Sequence, residues 1–235
     1  MALLATVLFV ALMFPGVCDA QHVDYFSLRS IRETEPDDAC GQSVDFEATV
    51  TFVDGMREFI FVQDGHDAIF VHKPDFSSVN LGQRVRVRGR LTKGDLLPVI
   101  SSPIVTVVGD GSLPVPEKVS RIGIEHDCRY LTFEFDILQT SLCAAKITLF
   151  ARTKSNKEVC IEIPNFEGTK LPCVSQFAGQ RVRCNGALGL QMEGGFYREP
   201  GDNSTKIKGY KIFCASPEFL KVVSGRDENL SLIHI

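Results

Sequence analysis

A chain of 235 residues, 44% hydrophobic and 23% charged, is long enough for one large or two small globular domains and too apolar for a disordered one. Its net charge of −4 excludes a binding mode that rests on overall positive charge, whether toward nucleic acid or an anionic membrane. Val, Ile, Phe and Thr dominate the periodic stretches, so strands are expected and long helices are not.

In chain order, residues 1–20 have the form of a secretory signal. Ala2 to Phe14 is an unbroken apolar run, Pro15 and Gly16 break it, and Cys18-Asp19-Ala20 offers small residues for cleavage after Ala20. The run is too short to span a bilayer, and an extracytoplasmic chain, periplasmic or secreted, is expected. Residues 21–42 are an irregular, partly helical lead-in. A first unit, 43–112, has strands expected at Val44–Val53, Glu58–Gln63, Ala68–Val71, Arg84–Leu91 and Pro98–Val108. Asp54-Gly55, Asp64-Gly65 and Lys93-Gly94-Asp95 mark turns between them.

A linker, 113–126, follows, stiffened by Pro114 and Pro116, with a short helical stretch expected around Lys118–Ile124. The second unit, 127–217, repeats the plan with strands at Tyr130–Leu138, Lys146–Ala151, Val159–Ile163, Gln180–Leu190 and Lys206–Phe213. The remainder, 218–235, is a tail. Its last six residues, 230–235, look like translated sequencing-adapter DNA, which suggests a front portion of a longer reading frame.

An internal repeat supports two copies of one small domain. Gly82-Gln83-Arg84-Val85-Arg86 recurs as Gly179-Gln180-Arg181-Val182-Arg183, and Gly89 and Leu91 recur as Gly186 and Leu188. Five strands per copy, with the widest gap between the third and fourth, fit an OB barrel. The expected fold is therefore all-β, two tandem five-stranded OB-like barrels after a signal segment.

Candidate sites are sparse. Arg84, Arg86, Arg88 and Arg90 alternate with Val85, Val87 and Gly89, so a strand places all four on one outward face. Such a face can hold a single strand of nucleic acid or another anion. No aromatic residues interleave with these arginines, so a solvated face paired with Asp and Glu is the expectation, and nucleic acid is not expected as a partner. Asp64, His66 and Asp67 belong to a hairpin turn, not an acid–base site. Cys128, Cys143, Cys160, Cys173, Cys184 and Cys214 are either disulfide partners in an oxidising compartment or buried thiols, and the sequence leaves both open. Asn203-Ser204-Thr205 is a glycosylation triplet. With no nucleophile elbow, phosphate-binding loop or metal-ligand spacing, no catalytic residue, metal or cofactor is assigned.

The ordered phrases Phe61-Val62-Gln63-Asp64-Gly65, Ile69-Phe70-Val71, Leu81 to Gly89, and Val107-Val108-Gly109 before Leu113-Pro114-Val115-Pro116 resemble the extracytoplasmic tandem OB-like region of bacterial sensor histidine kinases. The resemblance covers Ser43–Ser120 and, more weakly, Tyr130–Pro217. It implies the sensory module of a truncated, membrane-anchored, dimeric two-component kinase, binding a small ligand or periplasmic protein. The alternative is a free-standing secreted OB protein that binds oligosaccharide or nucleic acid.

Overall fold

The computed structural model describes residues 27–72, 79–94, 97–142, 146–164, 174–192 and 207–224. The expected signal segment, Cys143, Cys173, the Asn203 triplet and residues 230–235 lie outside them. The fold is all-β. In the first barrel, β1 (Ser43–Asp54), β2 (Phe59–Asp64), β3 (Asp67–His72), β4 (Arg84–Thr92) and β5 (Val99–Gly109) close in the order β1-β2-β3-β5-β4. Alternation decides what fills it. Phe46, Ala48 and Val50 of β1 point inward to Ile60, Val62, Val85, Val87, Leu91 and Ile100, and every second residue of β4 faces water. Two short helices, α1 (Leu28–Glu33) and α2 (Pro36–Ala39), precede β1, and Leu28, Ile31 and Ala39 join the same core.

The second barrel is built from β6 (Glu117–Lys118), β7 (Tyr130–Leu142), β8 (Lys146–Arg152), β9 (Glu158–Pro164), β10 (Arg181–Met192), β11 (Ile207–Phe213) and β12 (Leu220–Ser224). β10 pairs back onto β7 from Arg181↔Asp136 to Ala187↔Tyr130, so β7-β8-β9-β11-β10 also forms a ring. In both barrels the third and fifth positions pair in parallel, β3 with β5 and β9 with β11. The job of β5 is divided here. β11 covers the C-terminal half of β10 and β12 covers its N-terminal half, with a 3-10 turn, Pro217–Phe219, between them. The helix expected around Lys118–Ile124 is corrected: Glu117 and Lys118 pair in parallel with Leu131 and Thr132, and only Ile124–His126 turns, as a 3-10 segment.

The repeated phrase has a structural cause at each position. Gly82 and Gly179 take φ of +83° and +73°, which an L side chain resists. Their N–H groups donate to the carbonyls of Val50 and Ile137, and the Gln83 and Gln180 carbonyls accept from the same two residues' N–H groups. Val85 and Val182 enter the cores. Gly89 and Gly186 lie where the neighbouring strand presses in: a Cβ at Gly89 would sit 2.7 Å from Ile100 Cγ2, and one at Gly186 2.7 Å from the Phe213 carbonyl oxygen.

The barrels are fused through phenylalanines. Phe59 and Phe61 occupy the outward face of β2, with Phe52 and Phe70 beside them, and all four pack with Phe213, Ala187 and Cys128 of the second barrel. The Phe213 ring centroid lies 5.2 Å from those of Phe52 and Phe61 and 5.5 Å from that of Phe59. Each buried phenylalanine contributes about 2 kcal/mol by loss of water contact. Polar links add register: the Tyr130 N–H donates to Gln63 Oε1 at 2.7 Å, and Arg32 donates to the Ala68 and Asp127 carbonyls at 2.6 and 3.1 Å.

Candidate nucleic-acid interface

The second and third strands of an OB barrel carry its ordinary ligand face. In the first barrel that face is β2–β3, and the phenylalanine interface covers it. Among the described residues, β8 and β9, which form the corresponding face of the second barrel with β11 alongside, take no part in that phenylalanine packing. Along β8, Ile147, Leu149 and Ala151 point into the core, which turns Lys146, Thr148, Phe150 and Arg152 outward. Register sets Phe150 beside Cys160, Cys160 beside Lys211, and Thr148 beside Glu162. The Phe150 side chain is 45% exposed, an aromatic ring presented to water among polar neighbours.

Glu162 organises the charges around that ring. Its side chain is only 4% exposed, and Lys146 Nζ and Lys211 Nζ each lie 2.8 Å from Oε1. Arg57, from the turn after β1 in the other barrel, brings Nη1 to 2.9 Å from Oε2 as a charge contact outside hydrogen-bond geometry. Burial alone would raise the Glu162 carboxyl. The hydrogen bonds from Lys146 and Lys211, and the charges of Lys211 and Arg57, overcome it and lower the carboxyl to about 2. Arg57 also pairs with Asp54 and lies over the Phe59 and Phe213 rings at 5.2 and 5.4 Å. The carboxylates are buried while Lys146 and Arg57 stay 38% exposed, so the acids hold cations at the surface and the face shows water its positive side. Arg152 extends it, paired at 3.4 Å with the exposed Glu158.

The arginine row lies elsewhere, on the outer face of β4. Arg86 makes a two-pronged contact with Asp45 at 2.6 and 2.7 Å, and Arg84 reaches Glu47 at 3.2 Å. Among the described residues, Arg88 and Arg90 make no ion pair. Gly65 and His66 form the hairpin turn, with Gly65 at φ +57°. Cys40, Cys128, Cys160, Cys184 and Cys214 are free thiols. Burial pushes the Cys160 thiol up. Phe150, Lys146, Lys211, Arg57 and Glu162 were not singled out from sequence. One signal was available: in Lys146-Ile147-Thr148-Leu149-Phe150-Ala151-Arg152, Phe150 is an apolar residue in the outward phase of the strand.

A family model described as Sperm antigen HE2 matches residues 1–48, and no curated protein matches the chain. Solved structures similar to it include a murine DNA-binding protein bound with double-stranded DNA: 13% identity, 78% of this chain and 97% of that one, TM-score 0.34. Another is fission yeast Pot1 with single-stranded DNA: 8% identity, 86% and 88%, TM-score 0.33. The Stn1-ten1 complex of S. pombe is a third: 16% identity, 36% and 74%, TM-score 0.27. The sensor-kinase resemblance is corrected: no sensor kinase stands among these matches. The periplasmic two-component role, the extracytoplasmic placement and the expectation against nucleic acid as a partner are corrected with it. The physical reason is visible in the barrels. The phrases that carried the resemblance are the Gly65 hairpin, the Gly82 turn, the close approach at Gly89 and core valines, which barrel closure itself requires.

Proposed function

We propose that this chain binds single-stranded nucleic acid, without catalysis, on the β8–β9–β11 face of its second barrel. The observation that carries the reading is the exposed Phe150 ring set among Lys146, Arg152, Lys211 and Arg57. An unpaired base stacks on such a ring whatever its identity, and the surrounding cations meet the phosphates on either side. A paired base has no free face to offer. The reading rests on this chain's own surface, not on the DNA in the similar structures.

Fluorescence anisotropy with a labelled oligothymidine tests it. With four cations meeting phosphates, affinity should fall about 50-fold between 50 and 200 mM salt. Phe150→Ala should weaken binding by roughly 5- to 150-fold, the range of one lost stacking contact. Arg152→Gln should lower the salt slope. No binding at low salt, or binding that Phe150→Ala leaves unchanged, overturns the reading; tighter binding of a neutral oligosaccharide would replace it with sugar recognition.

A further inference from the structure

A second cleft lies on another face of the same barrel, where β12, β10, β7 and β6 run side by side. Register lines up Lys221, Arg183 and Glu134 in one row, and Asn185, Thr132 and Lys118 in the next. The 3-10 turn before β12 supplies Phe219 as one wall, and Pro116 and Lys118 of the linker strand supply the other. The cavity between them measures about 350 Å³, within the range of small-ligand sites. An adjoining recess shares Lys118, Thr132 and Arg183 and adds Lys154.

The first barrel shows what is special here. Its equivalent rows hold Glu47 beside Arg86 and Asp45 beside Arg88, so each arginine faces an acid across the strands. In the second barrel Glu134 still faces Arg183, at 2.9 Å, but the Asp45 and Arg88 positions have become Thr132 and Asn185, hydrogen-bonded to each other. Among the described residues, the cleft and its adjoining recess together therefore set one carboxylate, Glu134, against Lys118, Lys154, Arg183 and Lys221. The Glu134 carboxyl is held below its ordinary range, chiefly by the Arg183 hydrogen bond, with the charges of Arg183, Lys118 and Lys154 adding. The unbroken β5 of the first barrel leaves no place for a walling turn, whereas the division into β11 and β12 provides one.

We propose that this cleft binds a nucleoside phosphate: the phosphate between Lys118, Arg183 and Lys221, the base or sugar against Phe219 and the Thr132–Asn185 pair. The site is independent of the Phe150 face. Cations on three strands converge on a volume that admits one nucleotide, and the apolar wall distinguishes a nucleotide from phosphate alone.

Isothermal titration of the whole chain with adenosine 5′-monophosphate, adenosine and inorganic phosphate tests this. The nucleotide should bind more tightly than either part, and the Lys118→Gln, Lys221→Gln double variant should weaken it about ten-fold or more. Both lysines are exposed, so an unchanged melting temperature is expected for that variant. Phe150→Ala should leave nucleotide affinity intact, which separates failure of this site from failure of the stacking face. Phosphate binding as tightly as the nucleotide, no nucleotide binding, or indifference to the double variant would each overturn the proposal. Competition by a 5′-phosphorylated oligonucleotide assigns a strand end as the source of the ligand; its absence assigns the free nucleotide.

Discussion

Replacing Glu162 by Gln removes the one buried anion that three cations share. In the folded chain this carboxyl titrates at about 2, against an ordinary 4.5, so folding favours its ionised form by roughly 3 kcal/mol. That figure is an upper bound. Lys146 and Arg57 are 38% exposed and Lys211 22%, so water screens them and receives them when the acid is gone. The expected loss at pH 7 is about 2 kcal/mol, which at a urea slope near 2 kcal/mol per molar moves the midpoint by about 1 M. The sign of the pH dependence follows from the depressed value. Stabilisation is complete above pH 4.5 and disappears as the pH falls from 4.5 toward 2. Urea melts of both proteins at pH 7, 4.5, 3.5 and 2.5 separate this group from every other carboxylate: the gap between them should close as the pH falls. A gap absent at pH 7, or one that persists unchanged at pH 2.5, refutes the reasoning.

Other outcomes follow from packing. Gly89→Ala and Gly186→Ala should each cost about 1–3 kcal/mol in urea denaturation, because a Cβ at either position meets the adjoining strand below 3 Å. Phe61→Ala should cost about 3–5 kcal/mol and split one unfolding transition into two, seen as non-coincident fluorescence and circular-dichroism melts. Arg86→Gln should leave the urea midpoint unchanged, since water screens its half-exposed pairing with Asp45.

The barrels were legible because a strand writes its geometry into a local period. Val85, Val87 and Leu91 alternate with arginines, and Gly82 and Gly89 mark a turn and a close approach. β12 was not legible. Lys221-Val222-Val223 is short, follows a proline-containing turn, and becomes a strand only because β11 leaves half of β10 unpaired. The site was obscured for a related reason. The arginine row is conspicuous in sequence, yet half of it is neutralised by Asp45 and Glu47 from a strand some forty positions earlier. The cations of the Phe150 face come from β8, β11 and a turn in the other barrel, and Glu162 joins them only in three dimensions.

The two barrels share one closure, but not two equivalent surfaces. Packing phenylalanines onto β2 and β3 of the first barrel covers that face, while among the described residues β8 and β9 of its partner take no part in the packing. The same packing places Arg57 at the edge of the β8–β9 face, so the first barrel contributes a cation to a surface it does not own. The second barrel differs where its last strand is broken: the break admits the Phe219 turn, and the change from Asp45 to Thr132 removes the acid that would fill the space with an ion pair. Both proposed binding surfaces therefore lie in the second barrel, and the first barrel sets the position of one guanidinium beside one of them. Substitutions that loosen the phenylalanine interface should then lower affinity at the Phe150 face through Arg57 while leaving the nucleotide cleft unaffected. Measuring both ligands on Phe52→Leu checks this: equal loss at the two sites, or none at either, would show that the first barrel has no such role.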